Sequence, residues 1–387
     1  MPFKATITDP SWTYCGAAIS IGLRIGLHQP AFHVDFMYGS KIDEDGIALR
    51  TRSWVACFIM QHRLSIMLGI PTMIKVDHTI LDCMKGHSPP LPESLQRMLF
   101  LTYKIHNFSN QLGQYEFTKY GLSPNPLSIV QGFEKDLDLF QTTLKSKSEE
   151  TAVLTAKLHL YSYLLIPLLQ DNDSIEYLNL VEGHHITYYI GQAYSCASSV
   201  VSLSYDMFSQ DLRIENFEGI HDRRLWNVGW THDLMYAMMM LLWIVKLSDV
   251  DCDIDSADAI LRQGRNIYKQ LVVMDDDHNS RICDLVDYIT TMDFNKLKDS
   301  RATLKRSVIR SRMSANIIWN VVYAAKKRFL EQRQGTELNS SDTTFLSADP
   351  LALGSFETGT DTSDLANFNL AWIDWDSFLP TDGEHIF

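Results

Sequence analysis

The sequence predicts an all-α, multi-helix fold followed by a disordered, acidic C-terminal tail. Three observations predict it. Apolar residues recur at helical spacing through most of the first 333 positions, and sustained alternation is scarce. Turn-rich breaks at GHSPPLPES (86–94), YGLSPNPL (120–127) and DDDHNS (275–280) cut that region into helix-sized pieces. From Thr336 to Phe387 there is no Lys or Arg but ten acids, which account for most of the formal net charge of −13.

The elements follow in order. SWTYCGAAISIGLRIGLHQP (11–30) puts Cys15, Ala18, Ile19, Gly22 and Ile25 on one helix face, with Ser11 placed to cap it and Pro30 after its end. The same spacing predicts helices over 46–69, 92–120, 127–145, 150–169, 181–205, 231–247, 256–273, 280–290 and 299–332. In the second of these helices Val55, Phe58, Ile59, His62 and Ile66 form a buried stripe. Gly69 stands where a left-handed cap is wanted and Pro71 stops continuation. The longest apolar runs, 158–169 and 234–245, fall short of the roughly 20 residues a membrane span needs and read as core helices.

Composition narrows the function classes. A chain of 387 residues with 45% apolar and 21% charged residues is an ordinary globular protein, and its acidity argues against coating nucleic acid. The six cysteines contain no C-x-x-C pair, so no zinc-ligand spacing is present and a reducing compartment is the natural reading. The N-terminus has no apolar segment of the secretory kind. DVDCDIDSAD (249–258) fails as a calcium loop, with Ser256 where Gly and Arg262 where Glu is required. His184 and His185 point about 100° apart on a helix and do not share a metal. HDRRLW (221–226) lacks the Asn and the Gly-rich loop of a kinase, and no nucleophile elbow or phosphate loop occurs. The expectation is no enzyme and no cofactor.

Segments 11–30 and 49–71 together resemble the middle homology (regulatory) region of fungal zinc-cluster transcription factors. The matching residues are Gly26, Leu27 and His28, then Arg50, Arg52, Trp54, Phe58, Arg63, Ser65, Gly69 and Pro71. His62 and Ile70 depart from the pattern, which more often has an acid and an Arg there. The resemblance implies transcription regulation in a nucleus, with zinc and DNA binding carried by an upstream six-cysteine module. No residue here carries that module, so DNA is an expected partner only if it exists: either the chain is an N-terminal truncation or the protein lacks its own DNA-binding head. By their placement, Arg50, Arg52 and Arg63 either pair with acids on neighbouring helices or face a cavity that takes an anionic effector.

Two further features bear on function. Residues 296–333 carry eleven bases against Asp299 and Glu331. They form a solvated face, a phosphate contact, or a nuclear-import signal centred on Lys305, Arg306, Lys326, Lys327 and Arg328. Written as a helix, DLANFNLAWIDWDSFLP (364–380) aligns Leu365, Phe368, Trp372, Trp375 and Leu379 on one face, with Phe378 beside them. Such a short helix forms against a partner, either a coactivator groove or the chain's own core. The organisation expected is therefore a helical regulatory domain over 1–335, a disordered linker over 336–360 and an acidic-aromatic activation segment over 361–387. The reading is an activator whose helical domain senses a metabolite or restrains that segment, able to form a homodimer and not membrane-bound. A helical ligand-binding or scaffold protein with a structural tail is the alternative.

Overall fold

The computed structural model describes residues 11–36, 42–87, 89–114, 122–165, 183–218, 228–247, 253–273, 277–291, 309 and 311–326. Among these no strand occurs, and the all-α expectation holds. The helices are α1 (Ser11–Arg24), α2 (Glu44–Leu68), α3 (His78–Lys85), α4 (Glu93–Gly113), α5 (Pro126–Gln141), α6 (Lys147–Leu165), α7 (Gly183–Glu218), α8 (Val228–Leu242), α9 (Ile254–Leu271) and α10 (His278–Thr291). An eleventh, α11, covers 316–326.

Local chemistry sets several of the ends. Asp43 caps α2, its carboxylate accepting from the Gly46 N–H at 2.9 Å, with Glu44 and Asp45 in the positive first turn. The far end of α2 closes on Gly69 at φ 65°, the left-handed cap expected there. Asp77 caps α3 in the same way, accepting from Ile80 N–H at 2.9 Å. The first helix is shorter than its apolar pattern: Gly26 turns left-handed at φ 71°, α1 stops at Arg24, and Pro30–Asp35 forms a separate 3-10 turn. At the other extreme α7 runs on to Glu218, past the expected end near 205.

Packing centres on α6. Every residue from Thr151 to Leu165 is buried, so this helix is enclosed on all sides by α4, α5, α7 and α8. Several of its polar groups are paired. Lys157 Nζ lies 2.7 Å from both Asp138 Oδ1 and Gln141 Oε1, and the Tyr161 hydroxyl donates to Glu134 at 2.7 Å. Residues 234–244, the end of α8 and the start of the π turn Trp243–Leu247, are buried, as expected of a core helix. A second apolar cluster joins α1, α2, α3 and the start of α4 around Trp54, Phe58, Ile80 and Leu99. No helix among the described residues is long and apolar enough to cross a membrane.

The expected continuous helix over 299–332 is corrected in its described part. Met313–Ala315 is a 3-10 turn whose first residue is left-handed, φ 50°, and α11 begins only after it. The reason is tertiary. The Arg312 guanidinium donates to the Leu68 carbonyl at 2.9 Å and lies over the Trp319 ring at 4.7 Å, seating the turn against the end of α2. Residues 336–387, with the linker and the activation-segment anchors Leu365, Phe368, Trp372, Trp375, Phe378 and Leu379, lie outside the described residues.

Candidate functional site

The motif residues of α2 divide by task. Val55, Phe58, Ile59, His62 and Ile66 are all buried, as their spacing requires. Trp54 is buried too, and its indole N–H donates to Asp77 Oδ2 at 2.7 Å, so one carboxylate both caps α3 and ties it to α2. Arg50 is buried and donates to the Ile25 carbonyl, holding the end of α1. Arg52 is exposed and reaches only Ala48 O of its own helix, at 3.2 Å. Ser65 donates to the Ile70 carbonyl beyond Gly69, while Pro71 is exposed. Lys326 is buried, and the other expected import residues Lys305, Arg306, Lys327 and Arg328 lie outside the described residues.

Of the three arginines, Arg63 lines a cavity shared by four helices. Its walls come from four helices: Arg63 and His62 of α2, Met98 and Thr102 of α4, His159 of α6 and Asp233 of α8, with aliphatic side chains between. The volume is about 30 Å³, the share of roughly one water molecule. Arg63 Nη1 and Asp233 Oδ2 are 4.0 Å apart, with 22% and 15% of their side chains exposed. The second guanidinium nitrogen, Nη2, is 3.4 Å from the Met98 sulfur. Both sequence alternatives thus meet in one residue: Arg63 has an acid beside it and lines a cavity.

Burial governs the electrostatics. The Asp233 carboxyl is pushed up to about 6 by desolvation, against the pull of the Arg63 charge. Desolvation drives His62 down to about 4, opposed by its bond to the Phe58 carbonyl and assisted by His106. Burial alone takes His159 down to about 3. His232, next to Asp233, is also lowered to about 3 by burial, by His278 and by Arg63. The ring behind His62 is fixed by a hydrogen-bond chain. His62 Nδ1 must donate to Phe58 O at 2.7 Å, so its Nε2 accepts from His106 Nδ1 at 2.8 Å, and His106 Nε2 in turn takes Asn110 Nδ2 at 2.9 Å.

One wall of the cavity connects to the seat of residue 312. His159 stacks on Tyr236 with ring centroids 3.8 Å apart, and its Nδ1 lies 3.0 Å from Ser314 Oγ. The Tyr236 hydroxyl donates to Ser314 O at 2.9 Å. Sequence reading did not single out Asp233, His159, His106 or Ser314. The signal available was a polar side chain within or beside an apolar run, as with His159 in LHLYSYLL and Asp233 before LMYAMMM.

The arrangement offers a fixed cation, a carboxyl titrating near neutrality and neutral imidazoles, in a space too small for a metabolite until the helices part. Its hydroxyl–imidazole contact, Ser314 Oγ with His159 Nδ1, is buried in the core. Among the described residues no group of three or more His, Cys, Asp or Glu could hold a metal ion. The five described cysteines form no disulfide with one another; burial raises Cys15, Cys57, Cys196 and Cys283, which suits core residues.

Residues 5–116 match the family model described as the fungal specific transcription factor domain. This span contains both segments that carried the resemblance, which is thereby borne out. Among curated proteins, the chain is 26% identical over 208 residues to the putative transcription factor SEF1 of Eremothecium gossypii, covering 52% of this chain and 19% of that protein. It is 23% identical over 223 residues to the same-named protein of Kluyveromyces lactis, covering 56% and 19%. A regulatory protein of Saccharomyces cerevisiae is 21% identical over 220 residues, covering 55% and 22%. The match thus spans about a fifth of the length of these relatives. No solved structure matches.

Proposed function

We propose that this chain is the regulatory part of a fungal transcription regulator that acts in the nucleus and activates RNA polymerase II transcription through its C-terminal segment. The observation that carries this reading is one of combination. A fungal specific transcription factor domain over 5–116 stands in the same chain as the apolar face Leu365, Phe368, Trp372, Trp375 and Leu379, set among acids. Aromatic anchors supply affinity for a coactivator groove, and the acids steer the segment towards a basic one.

The helical region is the sensing part. The cavity between Arg63 and Asp233 is the seat for a small effector, an anionic group of which would take the Arg63 guanidinium. Its small volume means that binding and helix displacement go together. Displacement at His159 is felt directly at Ser314, and residues 313–326 lead into the acidic tail. Zinc and DNA binding belong, in this reading, to a six-cysteine module that residues 1–387 do not carry.

A tethered reporter tests the proposal. Residues 336–387 fused to an unrelated DNA-binding domain are expected to activate strongly, and addition of 1–335 is expected to damp that activation. A silent 336–387 fusion would overturn the activator reading.

A further inference from the structure

Two of the five described thiols are within reach of solvent. Cys15 and Cys57 are half-buried, whereas Cys83, Cys196 and Cys283 are buried. Helix geometry turns both towards one junction. At 100° per residue Cys15, Ile19 and Gly22 of α1 fall within about 60°, and so do Arg50, Trp54, Cys57 and Gln61 of α2. These two faces meet. Arg50 donates to the Ile25 carbonyl, and a Cβ built on Gly22 would lie 3.6 Å from the Trp54 ring. The helices therefore run antiparallel. Seven residues further, back along α1 and on along α2, Cys15 comes level with Gln61, and Cys57 stands about 6 Å short of it along the axis.

The segment after α2 crosses at the same level. The Ile74 N–H donates to Gln61 Oε1 at 2.7 Å. Met73, half exposed, lies over Gly16, the neighbour of Cys15, its sulfur 3.9 Å from where a Cβ would stand. Electrostatics reports the same closeness of the two thiols, since Cys15 is raised first by burial and then by the charge of Cys57. Gln61 adds a separate observation. Its side chain is fully buried, and its Nε2 has no hydrogen-bond partner. A buried donor left unpaired is costly, and a thiolate beside it would accept the bond.

We infer that Cys15, Cys57 and Met73 form a binding site for Cu(I), a soft monovalent cation, at the junction of α1, α2 and the segment 72–76. Two thiolates and a thioether are the donors that this ion selects. Zinc is disfavoured, because a structural zinc site closes with four N, S or O ligands and a thioether is not among them. The third donor also sets this site apart from a group of three His, Cys, Asp or Glu, of which the described residues hold none. A reducing compartment keeps both thiols open to a metal and works against their disulfide. On binding, each thiol gives up one proton and two protons leave. The complex of one Cu(I) with two thiolates carries one negative charge, which the Gln61 N–H offsets. The inference rests on this junction and is independent of the transcriptional reading.

Titration of the reduced full chain with Cu(I), in competition with the chelator bicinchoninate, is expected to show one tightly held ion per chain. Its affinity is expected to rise about a hundredfold per pH unit around neutrality, a factor of about ten for each proton released. Cys15→Ser and Cys57→Ser are each expected to weaken binding by on the order of a hundredfold, and Met73→Leu or Gln61→Leu by about tenfold, with helicity unchanged by circular dichroism. Peptide mapping after brief N-ethylmaleimide treatment requires no variant. One equivalent of Cu(I) is expected to protect Cys15 and Cys57 together. Absence of a tightly held ion would overturn the proposal, and so would full-strength binding by the Cys15→Ser, Cys57→Ser double variant or protection of only one of the two thiols. A chain that binds no Cu(I) but forms a Cys15–Cys57 disulfide in air would also overturn it, and would make the pair a redox couple.

Discussion

Arg63 on α2 and Asp233 on α8 stand 4.0 Å apart across a cavity that four helices share, though 170 residues separate them in the chain. The pair is buried enough for desolvation to outweigh attraction at the carboxyl, which titrates at about 6 in place of its ordinary 3.8.

That shift has a sign. A carboxyl whose folded pKa is raised contributes its full stability below about 3.8 and loses it as pH rises through about 6. Asp233→Asn removes the loss. The variant is expected to be more stable than the parent above pH 6, by about 1–3 kcal/mol, and no more stable at pH 4. Urea unfolding at pH 4 and pH 7.5 checks it, and a destabilised variant at pH 7.5 would show that Arg63 depends on the charge.

The histidines act in the opposite direction. His62, His159 and His232 are held neutral, with folded pKa values of about 4, 3 and 3 against 6.5 unfolded. Their contribution is full above 6.5 and lost as pH falls towards the folded values. With Asp233 opposing, net uptake near pH 5 is about two protons on unfolding, so stability is expected to fall by about 2–3 kcal/mol per pH unit there. His62→Phe is expected to flatten that slope by about half near pH 5, measured by urea midpoints across pH 4.5–7.

Gly69 is doubly constrained. Its φ of 65° favours glycine, and a Cβ built there would overlap the Arg312 carbonyl. Gly69→Ala is expected to cost about 2–4 kcal/mol, from left-handed strain and displacement of the 312 seat together. Gly69→Asn separates the two. Asn tolerates the backbone but keeps the clash, so it is expected to be nearly as damaging; a mild Asn variant would show that the seat gives way easily.

Much of the fold was legible in the sequence because α2 obeys simple rules. Its stripe and its Gly69 stop follow from periodicity and caps, and the structure agrees at both; its start, read at 46, falls at Glu44 behind the Asp43 cap. Short elements were not legible. The eight-residue α3 and the Pro30–Asp35 turn are too brief for periodicity to declare, and Gly26 ended α1 six residues before Pro30. The helix read over 299–332 failed at Met313, since only the docking of Arg312 onto Leu68 forces that turn. The cavity was hidden for a related reason. Arg63 was visible in a motif, but His159 and Asp233 sit in or beside apolar runs on distant helices, and no spacing within one helix brings them together.

The central claim is that the C-terminal aromatic face activates transcription, and Trp372→Ala with Trp375→Ala tests it most directly. With the 336–387 segment tethered to an unrelated DNA-binding domain, the double variant is expected to lose at least nine-tenths of the reporter signal at equal protein level. Unchanged activation by the double variant would contradict the account.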